Sequence, residues 1–239
     1  EIATQVVRSL ESPCKTLRDS LLSVPFSVSL QADIRREYDT LRGAGGKLFS
    51  VRSSGVSEDA TTASSAGQLE TYLGVSGFQN ILRCIRKCWA SQFSERCIMY
   101  RLLQGQKILS SMGVVVQIMV DAVVSGVGFS ADPLSGDREK MVVNASYGLC
   151  KTIVDGAITP DTYEFDRLLD NHDITFRLSR KVIGSKHSAE VLQKGAGEES
   201  SGEGSASHNT LADDPSMDEH IEELLLSDEM THVDALSSI

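Results

Sequence analysis

The stretch Val51–Leu73, VRSSGVSEDATTASSAGQLETYL, decides how the rest of the chain is read. A short apolar run from Leu48 ends on Arg52 and then breaks into small and hydroxyl-bearing residues, the pattern of a buried strand running out into a loop. A second apolar run resumes at Leu69. The Ser, Thr and Gly residues between them, from Ser53 to Gly67, would let backbone N–H groups approach an anion closely. Arg52 would stand at one end of that loop as a fixed guanidinium. On local composition alone, the same residues also fit a surface loop with Arg52 in a structural ion pair.

The surrounding chain has 239 residues, 41% of them hydrophobic, which is enough for one domain with a sizeable core plus a tail. Its formal net charge of −10 is unevenly placed. From residue 185 onward there are 13 Asp and Glu against 2 Lys, so residues 1–184 are close to neutral and the acidity belongs to the tail. A neutral body lacks the basic stripe that a nucleic-acid partner requires, so none is expected. The five cysteines are odd in number and include no C-x-x-C pair, which indicates neither a disulfide framework nor a zinc knuckle. Reduced thiols place the chain inside the cell, in the cytoplasm or an organelle. Cys84 and Cys88, four apart on an expected helix, read as buried small side chains rather than a metal pair. No apolar run approaches the roughly 18 residues of a bilayer span, and the amino terminus carries no signal-peptide core, so no membrane partner is expected. Lacking an initiating Met, the chain reads as cut from something longer.

Taken in order, residues 1–42 carry apolar side chains at helical spacing, interrupted by Pro13 and Pro25, which predicts two or three helices. The turn at Gly43, Gly45 and Gly46 is not a phosphate loop, because Lys47 is followed by neither Ser nor Thr. Three-and-four spacing from Gly77 to Gln104 predicts one long helix or two in sequence. Met112–Val120, MGVVVQIMV, is continuously apolar and predicts a strand buried on both faces. Strands are expected over Val123–Ala131, Lys140–Asn144 and Thr175–Ile183, with a short helix within Tyr147–Ala157. Residues 185–217, acidic and rich in Ser and Gly, read as a disordered acidic linker. An amphipathic helix is expected over 218–239 from Ile221, Leu224, Leu225 and Met230.

Several of these segments together resemble one family. V-R-S-S at Val51–Ser54, E-D at Glu58 and Asp59, and S-x-A-G-Q-x-E-T at Ser64–Thr71 are similar to the nucleotide-binding domain of phosphoenolpyruvate synthase, pyruvate phosphate dikinase and rifampicin phosphotransferase. The resemblance continues through SERCIMYR (Ser94–Arg101), VVVQIMV (Val114–Val120), SGVGFSADPLSG (Ser125–Gly136), NASYGL (Asn144–Leu149) and GAITPDTY (Gly156–Tyr163), covering roughly 47–184. It implies an α+β, ATP-grasp-like fold over residues 1–184, incomplete at both ends, with subdomains roughly 1–116 and 117–184 and nucleotide between their sheets. The implied cofactors are ATP and Mg2+. The resemblance assigns Arg52 and Arg96 to catalysis on the phosphates, Gly67 and Gln68 to the covering loop, and Gln117, Met119 and Val120 to the base through backbone groups. Ser125 and Gly126 would lie beside the nucleotide. Two guanidiniums suit a triphosphate, since each donates paired hydrogen bonds and keeps its charge.

In full-length members of that family the phosphoryl group passes from Mg-ATP to a histidine on a swivelling domain, and then to pyruvate or another acceptor. The phosphohistidine and acceptor domains are absent from this sequence. So are the family's T-G-G-x-x-S/C-H motif, its last metal-binding segment D-I-E-W-A, and the phosphate-contacting Lys of a preceding glycine-rich segment. None of His172, His187, His208, His220 and His232 has the setting of the phosphorylated histidine. Where the family carries Glu in G-L-G-E, this chain carries Lys151, after Gly148, Leu149 and Cys150. These departures keep a second reading open: a degenerate, non-catalytic member that senses nucleotide or engages a basic protein partner through its acidic tail. Thermal shift with ATP separates the two, since only a binder gains stability with ligand concentration.

Overall fold

The computed structural model describes residues 2–55, 69–170, 173–192, 221–225 and 235. These fall into two compact units, the first within residues 1–119 and the second comprising 120–192 with 221–225 and Ala235. The division lies three residues beyond the 116/117 boundary read from the sequence.

The first unit begins with helix α1 (Ile2–Ser23) and helix α2 (Val28–Gly43). Pro13 was expected to interrupt the chain here, yet it lies inside α1. A proline costs a helix one backbone donor, and tertiary contacts offset that loss. Cys14 is buried against Phe93 and Ile98, with Leu10 and Leu21 packed alongside. Arg18 ties the same helix to Phe93 O at 3.2 Å and to the Glu95 carboxylate at 3.0 Å.

Strand β1 (Phe49–Gly55) forms the centre of an antiparallel sheet between β2 (Thr71–Val75) and β3 (Met112–Ile118). Helices α3 (Phe78–Ser91) and α4 (Glu95–Leu103) lie between β2 and β3 in sequence. Of the one helix or two expected here the chain forms two, with Ser94 capping the second by accepting from Cys97 N–H at 3.2 Å. Phe49 and Val51 point to one face of the sheet and pack with Ile81, Cys84, Ile85 and Cys88 of α3. Cys84 and Cys88 are thus core residues, as their spacing suggested. Tyr38 joins this core, its ring 5.5 Å from Phe49 and 5.6 Å from Phe78. Tilted pairs of this kind contribute about 0.5–1.5 kcal/mol each beyond simple burial.

Strand β3 departs from expectation. Its residues alternate between half-buried and exposed instead of being buried throughout. The sheet is antiparallel with helices on one face only, so Val114, Val116 and Ile118 reach the core while Val115 and Gln117 do not.

The second unit is an antiparallel meander in the order β4 (Val124–Phe129), β5 (Lys140–Tyr147), β6 (Asp161–Asp170) and β7 (Asp173–Val182), with the short helix α5 (Lys151–Val154) after β5. Ala145, Tyr147 and Tyr163 form its core, with Val124, Val143 and Phe165 packed against them. Strand β7 is the sheet's outer strand, and every residue of it is exposed, including Ile174, Phe176 and Leu178.

Two expectations for the tail are corrected. The disordered linker was to start at 185, but Ser188–Leu192 form strand β8, with Ala189 buried in the core of this unit. The helix expected over 218–239 is replaced at Ile221–Leu225 by strand β9, which pairs antiparallel with β8, Leu192 opposite Ile221 and Ser188 opposite Leu225. A short acidic segment has little drive to form an isolated helix, whereas the backbone groups of β8 require partners. Residues 193–220, 226–234 and 236–239, which hold most of the expected linker and helix, lie outside the described residues.

Beneath β8, Asp161 and Lys186 form an ion pair with no exposed surface on either side chain. The Asp161 carboxylate also accepts from Gly184 N–H at 2.9 Å and from Ala235 N–H at 2.7 Å. Three donors from two other stretches of the chain therefore meet at one carboxylate, whose charge is satisfied rather than stranded.

Candidate functional site

Arg52 owes its position to the alternation of β1. With Phe49 and Val51 turned to the core, Arg52 projects from the opposite face, directly between Thr71 of β2 and Val115 of β3. It is exposed, and its guanidinium has no hydrogen-bond or ion-pair partner among the described residues. The structural ion pair weighed for it is not present among them. Gln117 stands opposite Ser50, two positions along β1 from Arg52, so the two side chains share a face on which Arg52, Val115 and Gln117 are exposed while Ser50 is buried.

Arg96 occupies a different layer. It is exposed in the first turn of α4, where Ser94 serves as the cap and Glu95 is held by Arg18. The S-E-R run thus divides into two scaffolding residues and one exposed arginine. Arg101, further along the helix, is buried and donates to Ile108 O at 2.6 Å, a structural use of its charge. Arg52 stands on β1 and Arg96 on α4, and the charge of Arg96 acts on Glu70, whose carbonyl accepts from Ser53 N–H beside Arg52.

Glu70 links these layers, and sequence reasoning did not single it out. Its carbonyl accepts from Ser53 N–H at 3.3 Å, beside Arg52, while its N–H donates to Ser91 Oγ at 3.4 Å. The Tyr72 hydroxyl donates to its carboxylate. Desolvation by surrounding protein pushes this carboxyl above the usual range, although the residue keeps exposed surface, and the charges of Lys87, Arg18 and Arg96 oppose that shift. The available signal was an acid at the end of a small-residue loop, close to three cations. Gly67 and Gln68 lie outside the described residues.

The three residues assigned to the base divide by their backbone geometry. Met119 N–H donates to Leu48 O at 2.9 Å, so it is committed to the end of the ladder. Antiparallel alternation likewise directs the backbone groups of Gln117 toward Ser50, and turns those of Ile118 away from β1. Val120, exposed, makes no backbone hydrogen bond among the described residues and begins the second unit.

Ser125 and Gly126 lie on β4, opposite Ser146 and Ala145 of β5. A Cβ on Gly126 would stand 2.6 Å from Asn144 O, so only glycine fits there. The hydroxyls of Ser125 and Ser146 are both buried without a hydrogen-bond partner. Lys151, the departure from the family pattern, pairs with Glu190 at 3.3 Å. Its charge is compensated within the second unit, and Gly148 with φ of 69° lets β8 pass close enough for Leu149 N–H to reach Glu190 O at 2.6 Å.

One open groove of about 610 Å³, lined by Gln31, Ala32, Arg35 and Gly77–Asn80, contains none of these residues. Arg35 is already engaged there, with Asp39 at 3.5 Å and over the Phe78 ring at 4.5 Å. Among the described residues, no helix is long and apolar enough to cross a membrane, and no group of three or more His, Cys, Asp or Glu side chains is placed to hold a metal ion.

The features define a mixed α+β module in which, among the described residues, an exposed guanidinium on one sheet and two hydroxyls in a second sheet have no partner. The sequence model described as pyruvate phosphate dikinase, AMP/ATP-binding domain matches residues 1–230, and the chain belongs to that family. It is similar to a probable phosphoenolpyruvate synthase of Pyrococcus abyssi, 35% identical over 185 residues, covering 75% of this chain and 22% of the relative. An uncharacterized phosphotransferase of Bacillus subtilis is 32% identical over 206 residues, covering 86% of this chain and 24% of its own. A rifampicin phosphotransferase of a Streptomyces species is 49% identical over 114 residues, 47% of this chain and 13% of its own. The chain thus spans about a fifth of the length of the first of these, and corresponds to an ATP-binding module of a phosphotransferase family.

Proposed function

We propose that this chain is the ATP-binding module of a dikinase-type phosphotransferase with an ATP-grasp-like fold. The observation that carries the reading is Arg52: an exposed guanidinium on the sheet face opposite the helical core, with no partner among the described residues. It would take the triphosphate, with Arg96 as a second cation reaching from the helical layer and Gly67 and Gln68 covering the phosphates. Gln117, Met119 and Val120 would meet the base, with Val120 and the Met119 carbonyl as the backbone groups left to do so. Ser125 and Gly126 would lie beside the nucleotide. Mg2+ would arrive with ATP as the counter-ion of its phosphates. In the longer relatives the phosphoryl group would then pass to a histidine on a swivelling domain and on to pyruvate or another acceptor.

Catalysis of such transfer rests mainly on positioning and charge neutralisation, which is what fixed cations supply. Isothermal titration with Mg-ATP tests the assignment. A charge-assisted hydrogen bond contributes about 1.5–3 kcal/mol, so Arg52→Ala should weaken binding by roughly tenfold to more than a hundredfold. No binding heat from the unmodified chain, or an unchanged Kd in the variant, would remove the reading.

A further inference from the structure

Apolar surface is left over on β7. Ile174, Phe176 and Leu178 stand opposite Leu169, Arg167 and Phe165 of β6 and share one face, the face whose inner part carries Ala145 and Tyr163. Phe165 packs against that core, but the three β7 side chains are about half exposed and Leu169 more so. The Arg167 guanidinium lies 5.9 Å from the centre of the Phe176 ring and leaves much of the ring open to water. No strand follows on the outer side of β7 among the described residues, so alternate N–H and C=O groups point away from the sheet.

The strand is complementary to itself. When two copies of β7 run antiparallel about a two-fold axis at Phe176, that ring faces its own copy and Ile174 faces Leu178. On the other face Thr175 meets Arg177 and Asp173 meets Ser179. Every apolar side chain then meets an apolar one, and no like charges stand opposite each other. Arg177 is already neutralised by Asp166 at 3.0 Å. The outward backbone groups of one copy meet those of the other, as an antiparallel ladder requires. Moving the axis to Arg177 would set that cation against itself and Ile174 against Arg180, while moving it to Thr175 would carry Leu178 past Asp173, the end of the strand.

We infer that β7 is an interaction edge for a second copy of this chain, joined by antiparallel pairing about a two-fold axis at Phe176. Such an interface uses the same patch on both partners and closes on itself. It is independent of the ATP-binding reading. A single short strand pair lies at the small end of specific interfaces, so the dimer is weak and reversible.

Sedimentation velocity of the 239-residue chain over a concentration series up to about 1 mM tests this. The unmodified chain should pass from monomer to dimer. Phe176→Lys and Phe176→Glu should each weaken the dimer by roughly tenfold or more, because like charges then meet at the axis. An equimolar mixture of the two variants should regain association, since opposite charges meet only if position 176 faces its own copy. Leu134→Lys, also exposed but outside β7, should change nothing. Hydrogen exchange of the unmodified chain needs no variant: amides within Ile174–Leu178 should slow as concentration rises. A chain that stays monomeric throughout would overturn the pairing and leave the stripe to a different polypeptide. A dimer indifferent to both Phe176 substitutions, a mixture that stays apart, or open-ended growth past the dimer would overturn it equally.

Discussion

Glu70 shows how a single carboxylate can be placed at a cost. Protein atoms around it raise its pKa, with Lys87, Arg18 and Arg96 pulling the other way. A carboxyl whose folded pKa lies above its unfolded value of about 4.3 gives stability that is complete below that value and is lost as pH rises through the folded one. Glu70→Gln removes this dependence. The melting temperature of the variant relative to the unmodified protein should therefore climb between about pH 4 and pH 7; a constant difference across that range would contradict the assignment. Cys88 illustrates the same physics in a thiol, which burial pushes up to about 12. A thiol held protonated does not react. Cys14, Cys84, Cys88 and Cys97 are buried and Cys150 is only half-buried, so at pH 8 iodoacetamide should label Cys150 first, and the other four only on unfolding.

At the scale of elements, the junction of β5, α5 and β8 turns on one ion pair. Lys151 and Glu190 meet across it, partly shielded from solvent. Lys151→Glu would set two carboxylates together and should destabilise the protein by about 1–3 kcal/mol in urea unfolding, whereas combining it with Glu190→Lys should recover most of the loss. Failure of the double variant to recover would mean that Lys151 acts through something other than this pair. The same elements show where sequence patterns suffice. Phe49 and Val51 marked β1, and the apolar spacing of Ile81, Ile85 and Trp89 marked α3, because each element buries one clear face. β3 was misjudged for a related reason: a run of valines is compatible with burial on both sides, and only the one-sided helical layer exposes Val115. In β9, Ile221, Leu224 and Leu225 stand three and four apart, a helical spacing, and nothing local reveals that β8 supplies a ladder partner.

Across the whole molecule, the candidate site was legible only where motif and layer coincide. Arg52 and Gln117 could be found from their segments, and their placement on one face follows from the pairing of β1 with β3. The approach of Glu70 to both Ser53 and Ser91, and the facing of Ser125 by Ser146, depend on contacts between distant segments, which no local pattern encodes. The buried Asp161 is the extreme case, joining Gly184, Lys186 and Ala235. Asp161→Asn would leave the Lys186 ammonium without its counter-charge and should cost about 3–5 kcal/mol, read as a lowered urea midpoint. Lys186→Met should be similarly damaging, and a loss under 1 kcal/mol in both would show that the pair is not closed off as described.

Strand β7 carries a practical implication for anyone handling the protein at high concentration. Its ten residues leave one row of amides and carbonyls unmatched by any neighbouring strand of the described sheet, beside a stripe of Ile174, Phe176 and Leu178. Long uncovered margins of that kind invite stray extended chains to add themselves. Arg177, Arg180 and Lys181 on the same strand act against such stray pairing, and replacing them should raise self-association at high concentration.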